Sequence, residues 1–73
     1  MNTSELIGKE VLDKSGNNVG KVSDIEINYP EWKVDHLIVR IGLIKKVPIK
    51  VDNIDQIGDK IILKTAKAEV QQP

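Results

Sequence analysis

Cysteine and phenylalanine are both missing from these 73 residues, and tryptophan, tyrosine, histidine and methionine occur once each. Without cysteine, neither a disulfide nor a thiolate-held zinc ion can brace so short a chain, so the core must rest on hydrophobic burial alone. The same absence suits a reducing compartment, and a cytoplasmic location is expected. Long apolar runs are also lacking. The greasiest region, LIVRIGLI at residues 37–44, is interrupted by Arg40 and falls far short of the roughly 20 residues a spanning helix needs. MNTSELIGKE shows neither the basic start nor the apolar run of a secretory leader. No direct membrane insertion is expected. Neither sign of charge is in excess, with 11 basic and 11 acidic residues, although residues 1–37 sum to −3 and residues 38–73 to +3. Global charge therefore points to no class of partner.

What is present is a strand former's palette. Of the 29 hydrophobic residues, 24 are Val, Ile or Leu, and 19 of these are β-branched. LIGKEVLD (residues 6–13) runs into the turn formers of KSGN, and a second strand extends from Asn18 to Tyr29, where Pro30 ends it. VDHLIVRI (34–41) alternates with Leu37, Val39 and Ile41 on one face. Val47, Ile49 and Val51 continue the alternation around Pro48, which marks an edge or a bulge, and Gly58-Asp59 turns the chain into KIILK (60–64). Five or six strands are expected in one domain, with a core over residues 6–64 and a short tail, 65–73, whose last five residues fray. The expected interior comprises Val11, Val22, Ile25, Ile27, Leu37, Val39, Ile41, Val47, Ile49, Val51 and Ile61.

One irregularity carries more information than the regular parts. In GNNVGKVSDIEIN (16–28), Val19, Val22 and Ile25 stand three apart, and strict alternation resumes only at Ile25, Ile27 and Tyr29. An extra residue near Ser23-Asp24 produces this pattern: a β-bulge swaps the faces and sharpens the bend. Gly20 inside the same strand marks a bend or a close backbone approach. The fold class that follows is all-β, a small, strongly bent antiparallel barrel, with an irregular strand in an open meander as the plainer reading.

In this order, LIGKEVLD, SGNNVGKVSDIEIN with its Gly-Lys-Val-x-Asp run, VDHLIVRI, KKVPIKVDNI and IGDKIIL, the chain resembles the PRC-barrel family over residues 6–64. The resemblance implies the bent barrel of the reaction-centre H subunit's cytoplasmic domain and of the ribosome-maturation factor's C-terminal domain. It further implies a stand-alone archaeal-type protein, with an adaptor role in cell division. The alternative is an accessory role in ribosome maturation, with Arg40, Lys45, Lys46 and Lys50 near RNA.

The chain carries no sign of an enzyme. Ser4, Ser15 and Ser23 lack a nucleophile context, no glycine loop precedes a helix, and the carboxylates have no electrophile or cofactor loop beside them. His36, alone of its kind, falls short of a metal ligand set, so no metal and no cofactor are expected. Asp24 is expected to accept hydrogen bonds from amides the bulge leaves free, and Gly8, Gly16 and Gly20 to serve the backbone. Nucleic acid is not the expected partner, because no aromatic lies among the cations. Protein contact is. Tyr29 and Trp32 flank a proline at a hairpin tip, where Trp32 is either a contact anchor or the plug of one barrel end. Leu43 and Ile44 occupy the other tip, and Ile38 and Ile62 point outward. Leftover apolar surface of this kind suits a homodimer, through these residues or through strand four.

Overall fold

The computed structural model describes residues 1–70. Asn2 caps a single helical turn, α1 (Thr3–Leu6), its Oδ1 accepting from the Glu5 N–H at 3.1 Å. Gly8 (φ +91°) then redirects the chain, so the strand expected from residue 6 begins only at Glu10, as β1 (Glu10–Leu12). β2 (Asn18–Asn28) and β3 (Lys33–Ile41) form a long hairpin that continues into β4 (Lys45–Lys50). A 3-10 turn at Val51–Asn53 leads into β5 (Ile54–Ile57), a strand the alternation does not predict. β6 (Ile61–Leu63) and a last helical turn, α2 (Lys67–Val70), complete the described chain.

The six strands form one bent sheet in the order β4-β3-β2-β1-β6-β5. The expected antiparallel barrel is corrected in two respects. β1 and β6 run parallel, because the chain crosses after β4 and returns along the free side of β1 in the same direction. β4 and β5 are the two ends of the sheet and do not pair, so the barrel is not closed by hydrogen bonds.

The bend has local causes. Val22 pairs with Val39 and Asp24 with Ile38, leaving Ser23 unpaired at the place where the apolar rhythm breaks; its Oγ donates to the Ile38 carbonyl at 3.2 Å. A second bulge lies between the Val11–Gly20 and Leu12–Asn18 pairs, where Val19 is the extra residue and turns into the core. Gly20 is required beside it. A Cβ there would overlap the Arg40 carbonyl and stand 3.0 Å from Cγ1 of Val39.

The core consists of Val11, Val19, Val22, Leu37, Val39, Ile49, Ile61 and Leu63, flanked by half-buried Leu6, Ile25, Ile41, Val47, Ile54 and Val70. Ile27 departs from expectation at 47% exposed, because its pair with Val34 lies beyond the last core layer. Val51, in the 3-10 turn, is half-buried. Asp13 is buried in the β1–β2 turn. Its Oδ1 accepts from the N–H groups of Ser15 (2.9 Å) and Asn17 (2.8 Å), and its Oδ2 from Asn17 Nδ2 (3.1 Å) and the Lys67 N–H (2.9 Å). Burial pushes this carboxyl up, but the donors, Lys67 N–H foremost, outweigh burial and hold it at about 2. The expected tail is thus anchored as far as Val70, and residues 71–73 lie outside the described residues.

Candidate functional site

β3 ends in a hairpin tip on either side, and the exposed apolar side chains gather at these two ends. At the β2–β3 tip, residues 29–32 bridge the Asn28–Lys33 pair. Tyr29 is 71% and Trp32 77% exposed, with ring centroids 6.0 Å apart in an edge-to-face arrangement. Trp32 is therefore not a barrel plug. The last core pair of the hairpin, Ile25–Leu37, stops short of the tip, and the indole lies against Tyr29 instead. Trp32 also adopts φ +57°, a left-handed conformation that costs a bulky side chain about 1–2 kcal/mol.

Apolar surface continues inward from this tip. Ile27 and Val34, paired beneath it, are 47% and 40% exposed. Val34 also lines a groove of about 370 Å³ shared with Leu6, Leu37, Val51, Ile54 and Ile57. At the opposite end of β3, Gly42 (φ +69°) makes the β3–β4 tip, which projects Leu43 and Ile44 into solvent at 93% and 92% exposure. Ile38 and Ile62 join neither tip. Both are half-buried within strands, Ile38 between Asp24 and Pro48 and Ile62 beside Leu12 and Gln56.

The residues expected to shape the backbone have these places. Gly8 and Gly16 take positive φ, with Gly16 in the turn around Asp13. Asp24 Oδ1 accepts from the Ile25 N–H at 2.8 Å, directly after the bulge. Pro48 lies on the edge strand β4, opposite Ile38.

His36 has more company than its sequence neighbours suggest. Its Nδ1 lies 2.6 Å from Glu26 Oε1 and 3.6 Å from Asp35 Oδ2. Alternation would place Asp35 and His36 on opposite faces, but Glu26 pairs with His36 and Ile27 with Val34, so Asp35 is an unpaired extra residue. The three-residue step from Val34 to Leu37 is the same signal that reveals the bulge at Ser23. One imidazole and two carboxylates with ligand atoms within 4.8 Å form a donor set that borderline divalent metals accept. The short hydrogen bond between His36 and Glu26 accounts for the arrangement without an ion. Elsewhere, Lys60 Nζ meets Glu10 Oε1 at 2.8 Å and the Asn18 amide donates to the same carboxylate. The Lys60 hydrogen bond holds the Glu10 carboxyl low and raises the Lys60 ammonium in return.

The family model described as PRC-barrel domain matches residues 1–70. The chain belongs to the PRC-barrel family. No curated protein matches this PRC barrel. Membership points to a small protein-interaction module of a generally non-catalytic kind. Among the described residues of this PRC barrel, no helix is long and apolar enough to cross a membrane. Sequence reasoning places Ile27 in the core by its register position and names neither Val34 nor Ile57 as a surface residue, although all three are exposed. It also misses Asp13, which the Asp-x-Ser-Gly-Asn spacing signals as a turn former.

Proposed function

We propose that this chain is a non-enzymatic adaptor that grips a protein partner with the apolar strip from Tyr29 and Trp32 through Ile27 and Val34 into the groove beside β5. The observation that carries this reading is Trp32, the largest side chain of the protein, held in solvent at φ +57°. The edge contact with Tyr29 offsets only part of the cost of that conformation, and strained exposed aromatics mark contact sites. The adjoining groove widens the anchor into a patch.

The same strip suits a homodimer better than the β4 edge does. Pro48 and the lysines at 45, 46 and 50 blunt that edge against pairing with a second copy. The partner's setting follows the family resemblance: an archaeal cell-division assembly in the cytoplasm. The ribosome-maturation alternative requires phosphate contacts from Arg40, Lys45, Lys46 and Lys50. It is disfavoured because both aromatic side chains lie at the far end of β3 from Arg40, Lys45 and Lys46, about 25 Å away at 3.3 Å per residue.

Affinity capture with the intact chain, followed by mass spectrometry, tests the reading. Division components should be retained by the native protein at high salt and lost with Trp32→Ala. Capture of ribosomal components that salt releases and Trp32→Ala leaves unchanged would replace it with the alternative. Light scattering at high micromolar concentration tests the dimer, and a monomer mass there excludes it.

A further inference from the structure

Leu43 and Ile44 are the two most exposed large hydrophobic residues of the described chain, and they are adjacent. Around them stand cations. Arg40 pairs across the hairpin with Lys46 and, on its other side, with Lys21 of β2, so three positive side chains lie in one row. Lys45 pairs with Ile41, which packs against the core, and so belongs to the opposite face of the hairpin. Like charges directly opposite one another are unfavourable in a sheet. Among the described residues none of these four cations forms an ion pair, and Glu10, the acidic neighbour of Lys21, is engaged by Lys60 and Asn18. The other end of β3 has the reverse character, with Glu26, Glu31 and Asp35 near the aromatic tip.

We propose that the β3–β4 hairpin tip docks this protein end-on onto an anionic lipid surface, with Leu43 and Ile44 entering the headgroup boundary and Lys21, Arg40, Lys45 and Lys46 set against the headgroups. Geometry favours lipid over a protein partner at this tip. Two apolar side chains on a three-residue turn cover far less than the roughly 800 Å² a stable protein interface buries on each side. Lys45 adds a cation on the second face of the hairpin to the row of three on the first, which fits a planar charged layer met end-on. The absence of a spanning segment does not bear on this, because shallow docking reaches only about 5–10 Å into the boundary. The aromatic strip at the other end of β3 is left free, so an adaptor docked in this way presents its protein-binding end away from the bilayer. The inference stands on the tip alone and does not depend on the aromatic strip's partner.

Co-sedimentation of the full chain with vesicles tests it. Equimolar phosphatidylglycerol and phosphatidylcholine should bind the protein roughly 600-fold more tightly than phosphatidylcholine alone, for four cations near the surface at about fivefold each. The advantage should vanish as salt rises from 0.1 M to 1 M and the screening length falls from about 10 Å to about 3 Å. Lys45→Ala with Lys46→Ala should weaken binding roughly 25-fold, and Leu43→Ser with Ile44→Ser at least about tenfold, given the apolar area withdrawn. Trp32 provides an internal control. Its emission should stay unshifted on vesicles, whereas Leu43→Trp in a Trp32→Phe background should shift to the blue. Equal binding by the serine variant, no preference for anionic vesicles, or a blue shift of Trp32 itself would each overturn the proposal. Displacement by inorganic phosphate beyond that by chloride of matched ionic strength would also overturn it, by assigning the cations to a free phosphate.

Discussion

Oδ2 of Asp13 accepts a hydrogen bond of 2.9 Å from the backbone N–H of Lys67, joining the first turn of the chain to the last helical turn. The folded carboxyl titrates at about 2, below its ordinary 3.8. Its contribution to stability is therefore full above pH ~4 and is lost as pH falls from there towards ~2. Asp13→Asn, with one acceptor oxygen where two are used, should unfold at lower urea than the native chain at pH 7. The gap between them should narrow between pH ~4 and ~2, and a gap independent of pH would show that the charge is not what matters.

Gly20→Ala should destabilise the protein by about 1–3 kcal/mol, the usual cost of overpacking, because the added Cβ meets the Arg40 backbone, not a flexible side chain. Urea unfolding monitored by circular dichroism measures this. An unchanged midpoint would mean that β2 and β3 are farther apart than described.

Val39, 1% exposed at the centre of the core, should not tolerate charge. Val39→Asp should leave the chain unfolded, since total stability in proteins is only about 5–15 kcal/mol and an unpaired carboxylate has no partner here. Ile61→Val, at a fully buried position, should cost about 0.5–1.5 kcal/mol and keep the native spectrum.

Trp32→Asn should leave stability within about 1 kcal/mol of the native value. Asparagine tolerates the left-handed backbone, and that relief, about 1–2 kcal/mol, offsets the lost contact with Tyr29, about 0.5–1.5 kcal/mol. Partner capture should nevertheless fail. A loss above ~2 kcal/mol, the scale of removing a core side chain, would show that the indole packs inside the protein.

Much of the fold was legible because side-chain alternation is a local signal. The spacing of Val19, Val22 and Ile25 betrays the bulge at Ser23, and Gly20 marks the tight approach that the Arg40 carbonyl makes, whereas the second bulge at Val19 shows only in the strand pairing. The two hairpin tips follow from Pro30 and Gly42 with their flanking strands, so Tyr29, Trp32, Leu43 and Ile44 could be named as contact residues. β5 was not legible, since Ile54 and Ile57 stand among polar turn formers and gain strand character only by pairing with β6.

The sequence by itself determined the strands β2, β3 and β4, their register about the bulge at Ser23, and the aliphatic character of the core. These depend on neighbours a few residues apart, and the pleat records them in the order of the residues. Tertiary structure alone decided that β6 lies parallel to β1, that the sheet stays open between β4 and β5, and that Asp13 meets Lys67. It also decided that Ile27 and Val34 face solvent, because the core ends before their pair. Alternation records which face a side chain takes, but neither a strand's direction nor its distant neighbour. Those are fixed only when the whole chain competes for one small interior.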